Sequence, residues 1–141
     1  MKSLLSASIL SALLLGATAA PVFAEDGRYN LGLTADEKVQ FLSEMRQMLS
    51  SIQGVLAGIA EEDREAIKQA ARLSGNRMAR ATPQSVRARL PQDFRELGGP
   101  THLMFEELVI RADTDEMEDL TAFTAELMHN CLACHARYRV D

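Results

Sequence analysis

Phe41, Met45, Met48, Ile52, Val55 and Ile59 recur at alternating intervals of four and three residues, a spacing that an α-helix gathers onto one face. Leu42, Leu49 and Leu56 follow at intervals of seven and are expected to widen that face. Thr34 with Glu37 three residues on is the capping-box pattern, so the helix is predicted to start there and run for about six turns at 3.6 residues per turn. Gly54 and Gly58 lie on it. They cost helix stability but leave room for a close neighbour.

Further along, β-branched and aromatic residues never alternate with period two for more than a few positions, so no strand is predicted. A second helix is predicted over 62–78, with Ile67, Ala70, Ala71, Leu73 and Met78 as its apolar side. A connection over 82–100 is bracketed by Pro83, Pro91 and Pro100 and contains Gly98-Gly99. Short helical turns are expected within it, pinned by Leu90, Phe94 and Leu97. A third helix over 101–112 is expected to bury some of Leu103, Met104, Phe105, Leu108 and Val109. The last is predicted over 115–138, with Leu120, Thr124, Leu127, Cys131, Cys134 and Tyr138 on one face and Met117, Phe123 and Met128 beside it. Its acidic N-terminal end and its Arg137 and Arg139 complement a helix dipole. The expected fold is all-α: an antiparallel four-helix bundle with a longer Pro/Gly-bounded connection between helices 2 and 3.

The N-terminus reads differently. Lys2, an apolar stretch over 4–20 and the small-residue ending Val22-Phe23-Ala24 form the pattern of a cleavable secretory signal. An uncleaved membrane anchor is the alternative, since residues 4–24 are nearly long enough to span a bilayer. Residues 1–24 are expected to be a signal peptide and 25–141 a single exported domain, with no integral membrane span after cleavage. Loss of Lys2 takes one of the 15 basic residues and none of the 20 acidic ones, a formal charge of −6. An acidic chain without tryptophan gives no basis for nucleic-acid binding. Basic residues gather over 64–95 and acidic ones over 96–119, which is explained by pairing between helix faces or by a docking patch for a partner.

Chemistry concentrates in Cys131-Leu132-Ala133-Cys134-His135. Two thiols three residues apart on a helix project from the same side, and His135 follows at once. Cys-x-x-Cys-His is a haem-attachment signal: the thiols bond to the porphyrin and the imidazole binds its iron. Three other readings fit less well. A thioredoxin-like dithiol belongs at the start of a βαβ unit. Structural zinc takes four ligands, usually in two spaced pairs, and only His102 and His129 remain. A disulfide between residues so close removes little unfolded-state entropy.

A bundle with this motif late in its final helix resembles cytochrome c′ and its low-spin relatives of the cytochrome c-556 type. The continuation Ala136-Arg137-Tyr138-Arg139 is also similar to that family, as are the first helix, about 35–60, and the last, about 115–139. The resemblance implies one covalent haem c held by Cys131 and Cys134, with His135 as proximal iron ligand and Arg139 near that histidine or a propionate. It also implies that a residue early on the first helix meets the other haem face, and alignment of the stripe puts Met45 there, with Met48 as the alternative. A thioether is a soft ligand that favours ferrous iron.

The expected function is that of a periplasmic electron carrier with redox proteins as partners. If iron lacks a sixth protein ligand, the alternative is a five-coordinate protein that binds nitric oxide or carbon monoxide. The family's homodimers use the first two helices, and Gly54, Gly58, Ala70 and Ala71 permit such contact here. His102 is expected to be a surface or capping residue, and Met104 and Met128 to fill core. No catalytic constellation independent of the motif is present, so an enzyme is not expected.

Overall fold

The computed structural model describes residues 26–141; the expected signal peptide over 1–24 and its cleavage point lie outside them. The described chain is helical, as expected, with α1 (Ala35–Ala60), α2 (Arg64–Arg72), α3 (Asn76–Ala81), α4 (Gln84–Arg87), α5 (Gln92–Arg111) and α6 (Met117–Arg137). Two-residue strands β1 (Tyr29–Asn30) and β2 (Tyr138–Arg139) pair in parallel at the two ends of the described chain. This pairing corrects the expectation of no strand. It joins residues distant in sequence, where no local alternation signals it.

α1 begins as its sequence dictates. Thr34 Oγ1 accepts from the Glu37 amide at 3.4 Å, and Glu37 Oε2 accepts from the Thr34 amide at 2.9 Å, satisfying two of the donors that a helix start leaves free. It ends at a tight turn in which Glu62 adopts a left-handed φ of 54°, and Asp63 then caps α2 by accepting from the Ala66 amide at 2.9 Å.

Two predicted boundaries are wrong. The second helix stops at Arg72 instead of running through 78. Ser74 is fully buried, its hydroxyl 2.8 Å from that of Ser51 and its carbonyl 2.7 Å from His102 Nδ1. The Glu106 carboxylate meanwhile accepts from the Asn76 amide at 2.7 Å. These contacts take over backbone groups that a continuous helix would use. The second error is the break placed at Gly98-Gly99-Pro100: α5 starts at Gln92 and passes straight through. A proline inside a helix costs about 3 kcal/mol, but both flanks are anchored. Phe94 packs on Phe41 and Tyr138, Phe105 and Leu108 are fully buried, and Thr101 Oγ1 donates to the Leu97 carbonyl at 2.7 Å.

α1 packs on α2 and α6, and α5 packs on the same two helices. The α1–α2 contact is close enough to require glycine. A Cβ on Gly54 would stand 2.8 Å from Ala70 Cβ, and one on Gly58 would stand 2.8 Å from Ile67 Cγ1. The small-residue face that the sequence offers to a second copy is thus filled by α2 of the same chain.

Ile52, Val55, Ile67, Ala71, Phe105, Leu108, Ala112, Leu120, Phe123 and Leu127 form the core. Leu49 and Leu56, expected to widen the α1 stripe, are 70% and 42% exposed, and Met128, expected in the core, is exposed as well. Each lies one position past a core residue or its neighbour on the helix, and 100° of rotation carries it off the buried face. Of the segregated charges, Lys68 Nζ pairs with Asp113 at 2.8 Å; Arg89 pairs instead with Glu37 on α1, and Arg64 Nη1 donates to the backbone carbonyls of Ala112 and Asp115. No helix among the described residues is long and apolar enough to cross a membrane.

Candidate functional site

Cys131, Cys134 and His135 occupy the last two turns of α6. Both cysteines are free and half-buried, while His135 is exposed. Burial pushes both thiols up, and Cys134 is raised further by the neighbouring Cys131. An exchange-active dithiol shows the opposite shift. Cys131 packs against the edge of the core, as do Met48 and Met104, and Asn130 Nδ2 lies 3.3 Å from Met104 Sδ. Among the described residues no three His, Cys, Asp or Glu side chains converge as a metal site, so the motif and the remaining histidines do not assemble a protein-only cage.

Beyond that edge the side chains remain apolar but the burial falls away. Phe41, Leu42 and Met45 on α1, Phe94 and Leu97 on α5, and Cys134 on α6 are all only half-buried. An aromatic ladder runs along this end. The Phe41 and Phe94 rings are 5.9 Å apart, Phe94 and Tyr138 meet edge-on at 5.2 Å, and Tyr138 meets Tyr29 edge-on at 6.1 Å. The ladder brings the early turns of α1 beside the C-terminal end of α6, so Met45 and the motif occupy the same end of the molecule. Met48 packs against the core, whereas Met45, one turn nearer the ladder, lies outside it.

Arg139 is engaged elsewhere than at the motif histidine's ring: its Nε donates to the Arg28 carbonyl at 3.2 Å and its guanidinium pairs with Asp141. His102 is half-buried instead of being a surface or capping residue. Its Nδ1 donates to the Ser74 carbonyl at 2.7 Å, tying α5 to the end of α2. Glu44, beside Met45, is a half-buried carboxyl raised by desolvation and held by Gln40 Nε2 at 3.3 Å. The sequence reading missed the segment before α1 altogether: Arg28, Tyr29, Asn30 and Leu31 all contact the residues that carry or follow the motif. Only the shared aromatic-polar character of Tyr29-Asn30 and Tyr138-Arg139 hints at it.

No protein-family profile, curated protein or solved structure matches this chain.

Proposed function

We propose that this protein is an exported mono-haem c-type cytochrome that carries electrons in the periplasm, similar to the cytochrome c′ and cytochrome c-556 group. In this reading α1, α2, α5 and α6 form an antiparallel four-helix bundle, supported by the ring of contacts in which each of them packs on two others. The observation that carries the proposal is Cys131-x-x-Cys134-His135 on the closing turns of a helix, its thiols free and half-buried at the loosely filled apolar end.

The donor set fits a covalent haem. Two thiols on one side of a helix supply the thioether sulfurs, and the adjacent imidazole supplies a nitrogen for iron. Bound haem iron contributes one-electron exchange between its ferrous and ferric states. The chain supplies the surroundings. Phe41, Phe94 and Tyr138 give the site an apolar wall that lowers the local dielectric and excludes water, which sets the balance between iron charge states. Met45 offers a soft thioether from the opposing helix. Its position outside the packed core favours it over Met48, whose side chain already fills core space. No substrate chemistry is assigned; Asp113 and Asp115 pair with Lys68 and Arg111, and Asp63 caps α2.

Expression in a host able to attach haem to such motifs tests the reading. The acid-extracted polypeptide should carry the mass of one haem, and its spectrum should be low-spin and six-coordinate. Met45→Ala should convert it to a high-spin form that binds carbon monoxide, while Met48→Ala should leave the spectrum intact. A polypeptide of bare mass sinks the proposal. A loaded wild type that is already high-spin and binds carbon monoxide overturns the electron-carrier assignment in favour of gas binding.

A further inference from the structure

The last four carbonyls of an α-helix have no partner within it, and its final turn frays unless something outside holds it. In α6 that turn contains Cys134 and His135. The Tyr138 amide returns to the Cys134 carbonyl. The His135 carbonyl is taken by a residue from the other end of the described chain: Arg28 Nη1 donates to it at 3.2 Å.

Arg28 is itself held. Asp26 receives its Nη2 at 2.6 Å and its Nε at 2.9 Å, which fixes the fork of the guanidinium and leaves Nη1 aimed at the helix end. A cation there also opposes the negative end of the helix dipole. The surrounding strap is fastened in register. Tyr29 pairs with Tyr138 and Asn30 with Arg139. The Leu31 amide donates to the Arg139 carbonyl at 3.0 Å, Arg139 Nε returns to the Arg28 carbonyl at 3.2 Å, and Asn30 Nδ2 reaches Asp141 at 2.7 Å. Leu31 is buried, unlike the residues on either side of it, and so anchors the strap to the body.

We infer that residues 26–33 are a clasp that holds the motif turn helical, with Arg28 as a positioning residue for His135. Arg28 donates to the histidine's backbone carbonyl, so it acts by fixing the direction from which the imidazole is presented. The inference rests on the haem reading for its purpose, and it assigns the segment before α1 a role in the site.

The test uses the full chain loaded with haem in a maturation-competent host, with wild type, Arg28→Ala and Arg28→Lys compared. Hydrogen exchange of the amides over 134–138 should quicken at least ten-fold in Arg28→Ala, with those over 120–127 unchanged. The visible spectrum of the same variant should show a mixture of proximal-ligand states. Arg28→Lys, which keeps a cationic donor, should restore both signals at least in part. Exchange that quickens only within 26–33, or a spectrum identical to wild type, overturns the clasp. Mass separates this from failure of the haem reading: a wild type of bare-chain mass removes the haem and the clasp's purpose together, whereas a loaded wild type with an indifferent Arg28→Ala removes the clasp alone.

Discussion

The two ends of this molecule are built from the same kinds of side chain and are packed very differently. At one end Val55, Ile67, Phe105, Leu108, Leu120 and Leu127 are essentially inaccessible, and two glycines let α1 and α2 nearly touch. At the other, Phe41, Leu42, Met45, Phe94, Leu97, Cys131 and Cys134 come from the same helices and are equally apolar, yet each is only half-buried. Protein interiors ordinarily pack as tightly as organic crystals. An apolar end that stops short of that density is one whose side chains are not complete partners for each other. The tight end stabilises the fold. The loose end carries the thiols, the histidine and Met45, and it is tied shut at its margin by the aromatic ladder and the strap.

Truncations of equal size should therefore have unequal costs at the two ends. Phe105→Ala should lower stability by about 3–5 kcal/mol, the range for a fully buried aromatic. Phe94→Ala, half-buried in the loose end, should cost roughly half as much in the haem-free chain. Urea denaturation of both variants decides it, and equal losses would erase the distinction. Next in size is Gly58→Ala, whose new methyl would press on Ile67 Cγ1 and on its backbone nitrogen at 2.9 Å. Overpacking of this kind costs about 1–3 kcal/mol, and a neutral result would show that the tight end has slack.

The smallest effect is acid sensitivity. Arg111 and Thr114 hold Asp115 below the ordinary carboxylate range, Lys68 does so for Asp113, and Arg89 for Glu37. Arg28 lowers Asp26 to about 2. Each depressed carboxylate adds stability that is complete above its unfolded value, 3.8 for Asp and 4.5 for Glu, and is lost as pH falls through the folded one. Thermal midpoints should therefore drop as pH falls from about 5 toward 2. Exchange at the motif turn should be among the last to respond, because Asp26 keeps its charge to about 2. Midpoints that are flat across that window would mean that these exposed pairs contribute nothing.

The helices were legible because their signals are local. Thr34 and Glu37 sit three residues apart, the α1 stripe repeats every turn, and the motif is contiguous. The misreadings share a different cause. Gly98-Gly99-Pro100 reads as a break, and Phe94 and Phe105 on either side hold it helical. Residues 73–75 read as helix, and the buried contacts of Ser74 with Ser51 and His102 end it. Leu49 and Leu56 read as a widening of the α1 stripe from their seven-residue spacing, and Met128 as core beside the last helix's apolar face, although their angular positions leave them in solvent.

By itself, then, the sequence determined that the chain is helical, where its first helix starts, and that two thiols and an imidazole stand together at the end of the last. Tertiary structure decided which apolar residues are buried, which end is packed tightly, and that Arg28 meets a carbonyl 107 residues away. Capping and periodicity act within one or two turns of the backbone. A contact across the whole chain exists only once the intervening helices have been brought together, and no local pattern encodes it.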